Sequence, residues 1–537
     1  MKKIVFFILV FSCFSGIAQE EAWVFFNVKN NSQSYFDNPL LMLSQRAVER
    51  RTKQNIPYDS KDIPIDKNFI TQIKSVSGVT VMAKSKWLNA LHVRGTQAAI
   101  NSLQSFAFVD KIDFADKSLN LAGKSASGHK VKLVDKYLET KIDFAYGSSA
   151  NQIQMLNGDN LHQQDFTGSG KIIAIMDAGF PGVNTAQPFQ RLRDNAQILG
   201  GYDFVSRSDN FYTGDSHGTM VLSSMGGYKE NVLIGTAPGA SYYLFRTEDD
   251  SSENPVEESY WVEAAEKADS LGVDVINTSL GYFEYDKVAY NHTYSQMDGK
   301  TAFMTRGAEI AFSRGMIIVV SAGNEGGSAN PYIGVPADGI SVLAVGAVNS
   351  VKTKAGFSSI GSSFDGRIKP DVMAQGVSVV LSDETGSIGT ANGTSFSSPI
   401  TAGLAACLWQ AFPDKTNREI KDLIIKSSDR YTVPDNQYGY GIPDFGLAMS
   451  TGLGSDDFSK KGVFLYPNPV DDWSTISFSD NFDTAVFCVY SILGQKIFEQ
   501  PITKKWPSVS LKSLQSGMYI YRINWKDSTS WGKFIKQ

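Results

Sequence analysis

The sequence predicts a chain of three parts: a small α+β domain, a central α/β domain built on a parallel sheet, and a small all-β sandwich. The first observation behind this is length, because 537 residues exceed what one hydrophobic core organises. The second is a series of short, β-branched apolar runs, separated by helical segments, that begins near residue 170. The third is a set of brief alternating strands beyond residue 462.

The amino-terminal part shows the mixture of strands and helices expected of a small α+β layer domain, which we place at 19–116. Its segments are a strand at 22–28, a helix at 66–76, β-rich runs at 79–85 and 87–93, a helix at 96–106 and a strand at 108–114. The polar stretch that follows suits a linker or an exposed cleavage region, which we place at 117–149.

The central part, 150–449, contains the apolar runs that define the fold class. Each run is β-branched, too short for a typical helix, and ends in small or polar residues. They are KIIAIMDAG, SYYLFRT, VDVINTSLG, MIIVVSAGN and SVLAVGAV. Continuous apolar strands that alternate with helices indicate a parallel sheet covered on both faces. In such a sheet, functional residues gather at the carboxyl ends of the strands.

The last part, 462–537, follows a small, charged linker at 450–461. Its short strands and frequent turns predict a compact β-sandwich of about 75 residues. An ordinary carbohydrate- or protein-binding sandwich has the same pattern. A binding sandwich of that kind would be expected to carry a cluster of exposed-looking aromatic residues or a set of acidic metal ligands, and the sequence of the tail contains neither.

Residues 1–18, MKKIVFFILVFSCFSGIA, have the layout of a secretory signal peptide, with cleavage expected between Ala18 and Gln19. The apolar run is well short of the ~20 residues needed to span a bilayer, which disfavours a membrane anchor. A lipid-modified Cys13 is a second alternative, but Phe11 and Ser12 match a lipidation site poorly. No other stretch of the sequence is long and apolar enough to span a membrane.

Composition disfavours several kinds of partner. The net charge of -5 has no strong sign and the chain lacks a dense Lys/Arg run, so nucleic acid is not expected to bind.

Without the leader, the cysteines are Cys407 and Cys488, and both lie in apolar runs typical of core residues rather than a disulfide. No Cys/His cluster has zinc spacing, so we assign no metal ligand.

Four polar residues are candidates for catalysis. Ser395 lies in NGTSFSSP at a helix start, where capping hydroxyls are also common. His217 opens the helix-like segment DSHGTMVLSSMGG, in which Gly218 lets another backbone approach the imidazole. Asp177 and Asn324 each end an apolar run, at the carboxyl end of a predicted strand. An aspartate there can orient an imidazole, and an asparagine amide can donate a hydrogen bond to an oxyanion.

The order Asp177, His217, Asn324, Ser395 resembles that of the subtilisin-like serine peptidases of the S8 family. The family's four motifs appear here as IAIMDAGF, HGTMV, SAGNEG and GTSFSSP. The resemblance covers roughly 150–448 and implies a three-layer α/β domain with a parallel sheet. It also implies a Ser395 nucleophile, a His217 base held by Asp177, and an oxyanion site formed by Asn324 and the Ser395 N–H.

Two positions depart from the family's motifs. Ala178 follows the aspartate where a small hydroxyl residue is frequent, and Phe396 follows the nucleophile where methionine is common. Neither departure removes a catalytic group. The other hydroxyls of the serine motif, Thr394, Ser397 and Ser398, are then expected to be helix-start and packing residues.

The resemblance further implies how an extended peptide substrate is held. NTSLGY and SAGN correspond to the two edges that pair with substrate backbone, and Gly334 to the base of the primary specificity pocket. The substrate-binding residues implied in this way are Ser279, Leu280, Gly281, Ala322, Gly323 and Gly334. A glycine at position 334 favours a roomy pocket for large apolar side chains. Structural calcium is common in the family, but SQMDGKT and TEDDSSENP are expected to be solvated acidic loops rather than ligand runs.

The flanking parts resemble domains found with this family. Residues 19–116 are similar in element pattern to the propeptide, a ferredoxin-like module that assists folding and blocks the cleft until it is cleaved. The tail, through LYPNP, ILGQKI, SGMYIYRI and KFIK, resembles the carboxy-terminal sorting domain of the type IX secretion system of Bacteroidetes. We therefore expect export through the periplasm and outer membrane, to the cell surface or beyond. The expected partners are protein or peptide substrates, the protein's own propeptide and the secretion machinery.

The sequence thus predicts an exported serine endopeptidase with a zymogen form and no certain cofactor. A catalytically silent surface binding protein that keeps the fold is the alternative, and the four filled catalytic positions argue against it. An α/β-hydrolase esterase requires G-x-S-x-G and a histidine after the serine. Ser397 occupies the last glycine position and no histidine follows Ser395, which excludes that class.

Overall fold

A computed structural model describes residues 19–30, 32–120, 144–454, 463–466, 470, 472–478, 483–491, 495–504, 507–525 and 528–536. The chain divides into two compact units, Met1–Met449 and Ser450–Gln537. The predicted signal peptide, its cleavage point and most of the predicted processing segment lie outside the described residues. Across the described ranges, no helix is long and apolar enough to cross a membrane.

The amino-terminal part of the larger unit is the predicted α+β layer. Its elements are β1 (Glu20–Phe26), α1 (Ser32–Asp37), α2 (Gln45–Lys53), α3 (Lys67–Lys74), β2 (Val79–Ser85), β3 (Ala90–Gly95), α4 (Gln97–Ser102) and β4 (Val109–Phe114). The strands form an antiparallel sheet in the order β2-β3-β1-β4. The helices α1 and α2 lie in a stretch to which the sequence pattern assigns no element.

Strand β1 begins two residues earlier than the predicted strand, because two acidic residues at its start are buried. Glu21 accepts a hydrogen bond of 2.8 Å from His92 and also pairs with Arg94. Glu20 pairs with Lys287 of the central domain at 2.5 Å. Buried carboxylates are tolerated when they are paired, so these glutamates can extend a strand that their sequence alone would not favour.

The central domain is built on seven parallel strands, which are β5 (Ile172–Asp177), β6 (Ile198–Asp203), β9 (Ser241–Arg246), β10 (Val275–Thr278), β11 (Ile317–Ser321), β12 (Leu343–Val348) and β13 (Val372–Gln375). Their order across the sheet is β13-β12-β11-β10-β5-β9-β6. Strands β5 and β10 to β13 are buried along their whole length. This arrangement confirms the predicted parallel sheet.

Helices cover both faces of this sheet. Those of the domain are α5 (Ala150–Gln154), α6 (Asp159–His162), α7 (Gln190–Asp194), α8 (His217–Gly226), α9 (Val256–Leu271), α10 (Phe303–Ser313), α11 (Thr394–Ala411), α12 (Asn417–Lys426) and α13 (Phe445–Gly454). The core on one face includes residues of α8, α11 and α12. The core on the other face includes residues of α9 and α10 together with Trp23 and Trp87 of the amino-terminal layer. Two short antiparallel pairs complete the domain: β7 (Tyr228–Lys229) with β8 (Leu233–Ile234), and β14 (Val379–Ser382) with β15 (Ile388–Ala391).

The second unit consists of antiparallel strands, as predicted. They are β16 (Val463–Tyr466), β17 (Trp473–Phe478), β18 (Thr484–Ser491), β19 (Lys496–Thr503), β20 (Ser508–Ser510), β21 (Gly517–Trp525) and β22 (Ser528–Lys536). They form a sheet of order β16-β17-β20 and another of order β19-β18-β21-β22, with one shared apolar core. Helix α13 continues to Gly454, so the first residues of the predicted linker are helical, and 455–462 lie outside the described residues.

Candidate active site

Asp177 and His217 meet at the carboxyl edge of the parallel sheet. Asp177 is the fully buried last residue of β5, and His217 is the first residue of α8. The carboxylate Oδ1 accepts hydrogen bonds from His217 Nδ1, at 2.7 Å, and from the Ala178 N–H, at 2.8 Å. A carboxylate so placed keeps the proton of a neutral imidazole on Nδ1, which leaves Nε2 able to accept a proton.

The second oxygen of the Asp177 carboxylate lacks the hydrogen bond that a hydroxyl residue at position 178 could donate. Asp177 Oδ2 is buried and has no hydrogen-bond partner among the described residues. An alanine at position 178 offers only its backbone N–H, and that group binds Oδ1. The carboxylate therefore holds the imidazole through one oxygen alone.

Ser395 lies in the first turn of α11, beside this pair. The preceding Gly393 has a φ of 153°, a conformation that strains other residues, and this explains the glycine before the serine motif. The Phe396 ring lies 5.7 Å from the His217 ring between centroids, which sets the start of α11 next to the imidazole. Ser395 itself is only 9% exposed. Three segments distant in the chain thus meet at one edge of the sheet.

Asn324 lies in the exposed loop after β11, and Thr394 orients its amide. The amide oxygen accepts hydrogen bonds from the Thr394 N–H at 2.9 Å and from its hydroxyl at 3.0 Å. Because both groups are donors, they bind the amide oxygen and leave the Nδ2 hydrogens for another acceptor. The Thr394 Oγ also accepts a bond of 3.2 Å from the Gly323 N–H. Thr394 is therefore more than the helix-start residue that the sequence suggests.

A buried chain of hydrogen bonds joins β10 to α11. Ser398 Oγ donates to Asn277 Oδ1 at 2.9 Å, Asn277 Nδ2 donates to Ser279 Oγ at 3.0 Å, and Ser279 Oγ donates to the Ser395 carbonyl at 2.8 Å. Asn277, Ser279 and Ser398 are all buried. Ser398 is fully buried, as a packing residue would be, and its hydroxyl in addition binds a residue of another element. By contrast, the Ser397 hydroxyl binds the Thr394 carbonyl of its own helix at 3.0 Å.

Ser398→Ala should lower kcat about tenfold with little change in KM. The variant removes the hydrogen bond between the first turns of α11 and Asn277, and small displacements of a reacting group slow the reaction strongly. Ser397→Ala is the matched control, equally buried on the same helix, and should change kcat less than about twofold. Both variants should lose about 1 kcal/mol of unfolding free energy. Steady-state kinetics and thermal melts on both proteins check this, and equal kinetic effects would contradict the positioning role.

The predicted substrate-binding residues lie beyond the carboxyl ends of β10 and β11. The Tyr282 N–H donates to the Val335 carbonyl at 2.9 Å, and the Val335 N–H donates back at 3.0 Å. A Cβ at Gly334 would lie 2.7 Å from the Tyr282 carbonyl oxygen, and one at Gly281 would lie 2.8 Å from that of Val335. Close backbone approach therefore accounts for both glycines, so Gly334 is not by itself a sign of a roomy pocket. Of the six residues, Ser279 and Ala322 are buried, Leu280, Gly323 and Gly334 are half-buried, and Gly281 is exposed.

Carboxylates determine the protonation of the site. Burial alone would lower the pKa of His217, but Asp177, followed by Asp215 and Glu248, outweighs it and raises that pKa above the ordinary 6.5. Burial raises the pKa of Glu248 to about 8, although a hydrogen bond from the Tyr282 hydroxyl opposes the shift. The sequence around Glu248 does not indicate a site residue, because a stretch of acidic and serine residues is typical of a solvated loop.

The acid limb of kcat/KM should have its midpoint above pH 6.5, because His217 accepts a proton only when neutral and its pKa is raised. Activity therefore falls as pH drops through that value. Asp215→Asn should move the midpoint to lower pH, since it removes a carboxylate while its amide oxygen still accepts the His217 N–H. Asp209→Asn, at an exposed position of the same domain, is the control and should leave the midpoint in place. A pH profile of kcat/KM for the three proteins decides this.

The two acidic loops and their surroundings bear on calcium binding. Within the described ranges, no group of three or more His, Cys, Asp or Glu side chains is arranged to hold a metal ion. In SQMDGKT, Asp298 is buried, and its oxygens accept hydrogen bonds from the N–H groups of Lys300 and Thr301 and from the Thr301 hydroxyl. The expectation that this whole loop is solvated is wrong at Asp298, because the carboxylate caps the turn.

Comparison with known proteins gives three family matches. The model of the subtilase family (peptidase S8) matches residues 168–441, and the model of the Bacteroidota peptidase S8 propeptide domain matches 21–132. The model of the secretion system C-terminal sorting domain matches 464–537. The subtilase and sorting-domain matches fall within the predicted central and last parts, whereas the propeptide match continues past residue 116 into the predicted processing segment.

Several curated proteins are similar to the chain. Subtilisin NAT of Bacillus subtilis subsp. natto is 34% identical over 293 residues, which are 54% of this chain and 68% of that protein. Subtilisin E of Bacillus subtilis (strain 168) is 34% identical over the same length and shares. M-protease of Shouchella clausii (strain KSM-K16) is 28% identical over 403 residues, or 74% of this chain and 92% of that protein.

Proposed function

Because the chain belongs to the subtilase family, we propose that this secreted serine peptidase cleaves peptide bonds within proteins through an acyl-enzyme on Ser395. Asp177 and His217 complete the triad, and Asn324 stabilises the oxyanion. The supporting observation is the Asp177–His217 hydrogen bond beside the first turn of α11, at the edge where a parallel sheet places functional residues.

Acylation begins when Ser395 Oγ attacks the carbonyl carbon of the scissile bond and its proton passes to His217 Nε2. Asp177 stabilises the imidazolium that forms. When the tetrahedral intermediate collapses, the C–N bond breaks and His217 gives the proton to the leaving amine. Water then attacks the acyl carbon and loses a proton to His217, and a second collapse returns that proton to Ser395 and frees the carboxyl product.

Negative charge that develops on the carbonyl oxygen is stabilised by two donors. Asn324 Nδ2 supplies one, with its amide orientation held by the two bonds from Thr394. The Ser395 N–H supplies the other, at a helix start where free N–H groups and the helix dipole favour negative charge. Neither donor carries a formal charge that would stabilise the bound substrate as strongly as the transition state.

An extended substrate pairs with two backbone edges, Ser279–Gly281 and Ala322–Gly323, and its side chain at the scissile bond enters the space near Gly334. Ser279 belongs to the hydrogen-bond chain that ends on the Ser395 carbonyl. One substrate edge and the nucleophile are therefore held as one unit, which keeps the bound carbonyl in line with Oγ.

The match to the sorting domain indicates export by type IX secretion to the cell surface or beyond. The match to the propeptide domain indicates that the protein is made as a zymogen. We propose that maturation is a cleavage by the peptidase itself within 117–149. The proposed parts are the signal peptide 1–18, propeptide 19–116, processing segment 117–149, peptidase 150–449, linker 450–461 and sorting domain 462–537.

A fluorophosphonate probe tests the proposal, because it reacts only with a serine that an adjacent base activates. The processed protein should be labelled at Ser395, as mapped by mass spectrometry of its peptides. The alternative, a catalytically silent binding protein with the same fold, predicts no labelling. A protein that is folded and processed but unlabelled would therefore favour the alternative.

A further inference from the structure

Glu248 lies at the carboxyl edge of the sheet beside the catalytic pair, and it takes no part in the steps of acylation. Strand β9 ends at Arg246, which is opposite Asp177 of β5 in the register of the sheet. The Thr247 N–H donates to the Asp177 carbonyl at 2.9 Å, so Glu248 is the next residue beyond that contact. Its carboxylate is near enough to Asp177 and His217 to interact electrostatically with both.

Tyr282 holds the Glu248 side chain next to one of the two substrate edges. The Tyr282 hydroxyl donates a hydrogen bond to Glu248 Oε1. Tyr282 directly follows the edge Ser279–Gly281, and its buried ring stacks on Tyr285 with 5.8 Å between centroids and an angle of 16°. The Tyr282 backbone is fixed as well, by its two hydrogen bonds with Val335. The carboxylate is therefore held between the catalytic pair and an edge that pairs with substrate.

The Glu248 carboxylate has no cationic partner among the described residues. Glu248 is half-buried, and in those parts of the chain its side chain is bound by the Tyr282 hydroxyl at Oε1 alone. Arg246, two residues away, is already paired with Asp203 at 3.2 Å and with Asp250 at 2.9 Å. A half-buried carboxylate is stabilised when a cation is brought to it. Glu248 Oε2 is thus able to bind a cation that a ligand supplies.

Other carboxylates make this side of the cleft strongly negative. Glu253 and Asp177 act on Glu248, and Glu248 and Glu253 act on Glu257 of α9. Asp215 adds to the negative potential at the catalytic imidazole. A cleft lined by one sign of charge attracts ligands of the opposite sign. The charge around Glu248 therefore favours a basic group over a neutral or an acidic one.

The strand order determines which substrate side chain approaches Glu248. Across the sheet the order is β11-β10-β5-β9, and the edge Ser279–Gly281 follows β10. Gly334 belongs to the connection after β11, on one side of that edge, and Glu248 follows β9, on the other side. Successive side chains of an extended peptide point to opposite sides of its backbone. If the side chain at the scissile bond enters the space near Gly334, the side chain before it points towards Glu248.

We propose that Glu248 is a specificity-determining residue that selects a lysine or an arginine at the second position before the scissile bond. The ammonium or guanidinium group binds Glu248 Oε2 while the Tyr282 hydroxyl holds Oε1. The substrate class is then proteins with an exposed, extended segment that carries a basic residue at this position. The proposal rests on the proposed function and names the substrates of the same site.

A series of fluorogenic peptides tests this with the processed protein that the full chain yields. The peptides are identical except at the second position before the scissile bond, which is lysine, arginine, norleucine or glutamate. Norleucine matches the lysine side chain in shape but has no charge. At pH 9, kcat/KM should be about tenfold higher for the lysine and arginine peptides than for the norleucine peptide. The glutamate peptide should be cleaved more slowly than the norleucine peptide.

Glu248→Gln is the informative variant, because its amide oxygen still accepts the Tyr282 hydroxyl while the charge is lost. The ratio of kcat/KM for the lysine and norleucine peptides should fall to about one, and cleavage of the norleucine peptide should change less than about threefold. Glu284→Gln is the matched control, an exposed glutamate two residues after Tyr282. It should change the ratio less than about twofold.

The pH dependence of that ratio is a second measurement, because the ionisation of His217 affects both peptides equally and cancels. Burial raises the pKa of Glu248 to about 8, with Glu253 and Asp177 in the same direction and the Tyr282 hydroxyl and His217 opposed. Below that pH a proton competes with the substrate cation, whereas lysine itself stays charged up to about pH 10. The ratio should therefore be constant above pH 8 and decrease as pH falls through that value.

Three results would overturn the proposal: equal cleavage of the lysine and norleucine peptides, a lysine preference that survives in Glu248→Gln, or an equal loss of preference in Glu284→Gln. In each case cleavage of the norleucine peptide shows that the proposed function still holds. A processed protein that cleaves none of the peptides would instead count against the proposed function, and against this specificity with it.

Discussion

Ser395→Ala should lower peptide hydrolysis about 10⁶-fold, the scale expected when the nucleophile is removed from a catalytic triad. Alanine has no Oγ to attack a carbonyl, so only substrate binding and oxyanion stabilisation remain. The lost atom is small and lies in the first turn of α11, and the unfolding free energy should change by no more than about 1 kcal/mol. Turnover of casein or of a peptide ester measures the loss, and a thermal melt confirms the fold.

The same variant should accumulate as an uncleaved precursor when it is purified away from other proteases. The first carbonyl that Ser395 attacks is the protein's own, within 117–149, so loss of the nucleophile blocks maturation. Ser397→Ala is the control, because the Ser397 hydroxyl binds the Thr394 carbonyl of its own helix, and this variant should mature normally. A Ser395→Ala protein that still cuts casein, or matures at the normal rate in isolation, would rule out Ser395 as the nucleophile.

Asn324→Leu should lower kcat by roughly 10²–10³ while KM changes little, because the amide donor acts on charge that exists only in the transition state. Leucine is close to asparagine in size and cannot donate a hydrogen bond. The buried Thr394 loses the acceptor of its hydroxyl and N–H, which should lower the unfolding free energy by about 1–3 kcal/mol but leaves the nucleophile and base in place. Initial-rate kinetics over a range of substrate concentrations separate kcat from KM.

Asn330→Leu is the matched control for that prediction. Asn330 is an exposed asparagine in the loop that also contains Asn324, and its N–H binds the Ser328 hydroxyl. Its replacement should change kcat less than about twofold. A loss below threefold in Asn324→Leu would mean that this amide does not face the oxyanion.

Much of the fold and of the candidate site was predictable because the relevant signals are local in sequence. The apolar runs that end at Asp177 and near Asn324 predict parallel strands. A strand that is covered on both faces needs apolar side chains at nearly every position. Motifs around His217 and Ser395 are short, and their order along the chain is specific to one family. The position of Gly393 before the nucleophile follows from backbone stereochemistry, which depends on one residue.

Only the tertiary structure decided which polar residues serve a distant partner. Ser397 and Ser398 are neighbours of the same type, yet one hydroxyl binds its own helix while the other reaches Asn277. Asp269 in α9 carries a charged side chain, but α2 of the amino-terminal layer buries it against Arg50 and Arg51. The free energy of a buried polar group depends on whether a complementary group is brought to it, and packing of segments far apart in the chain determines that.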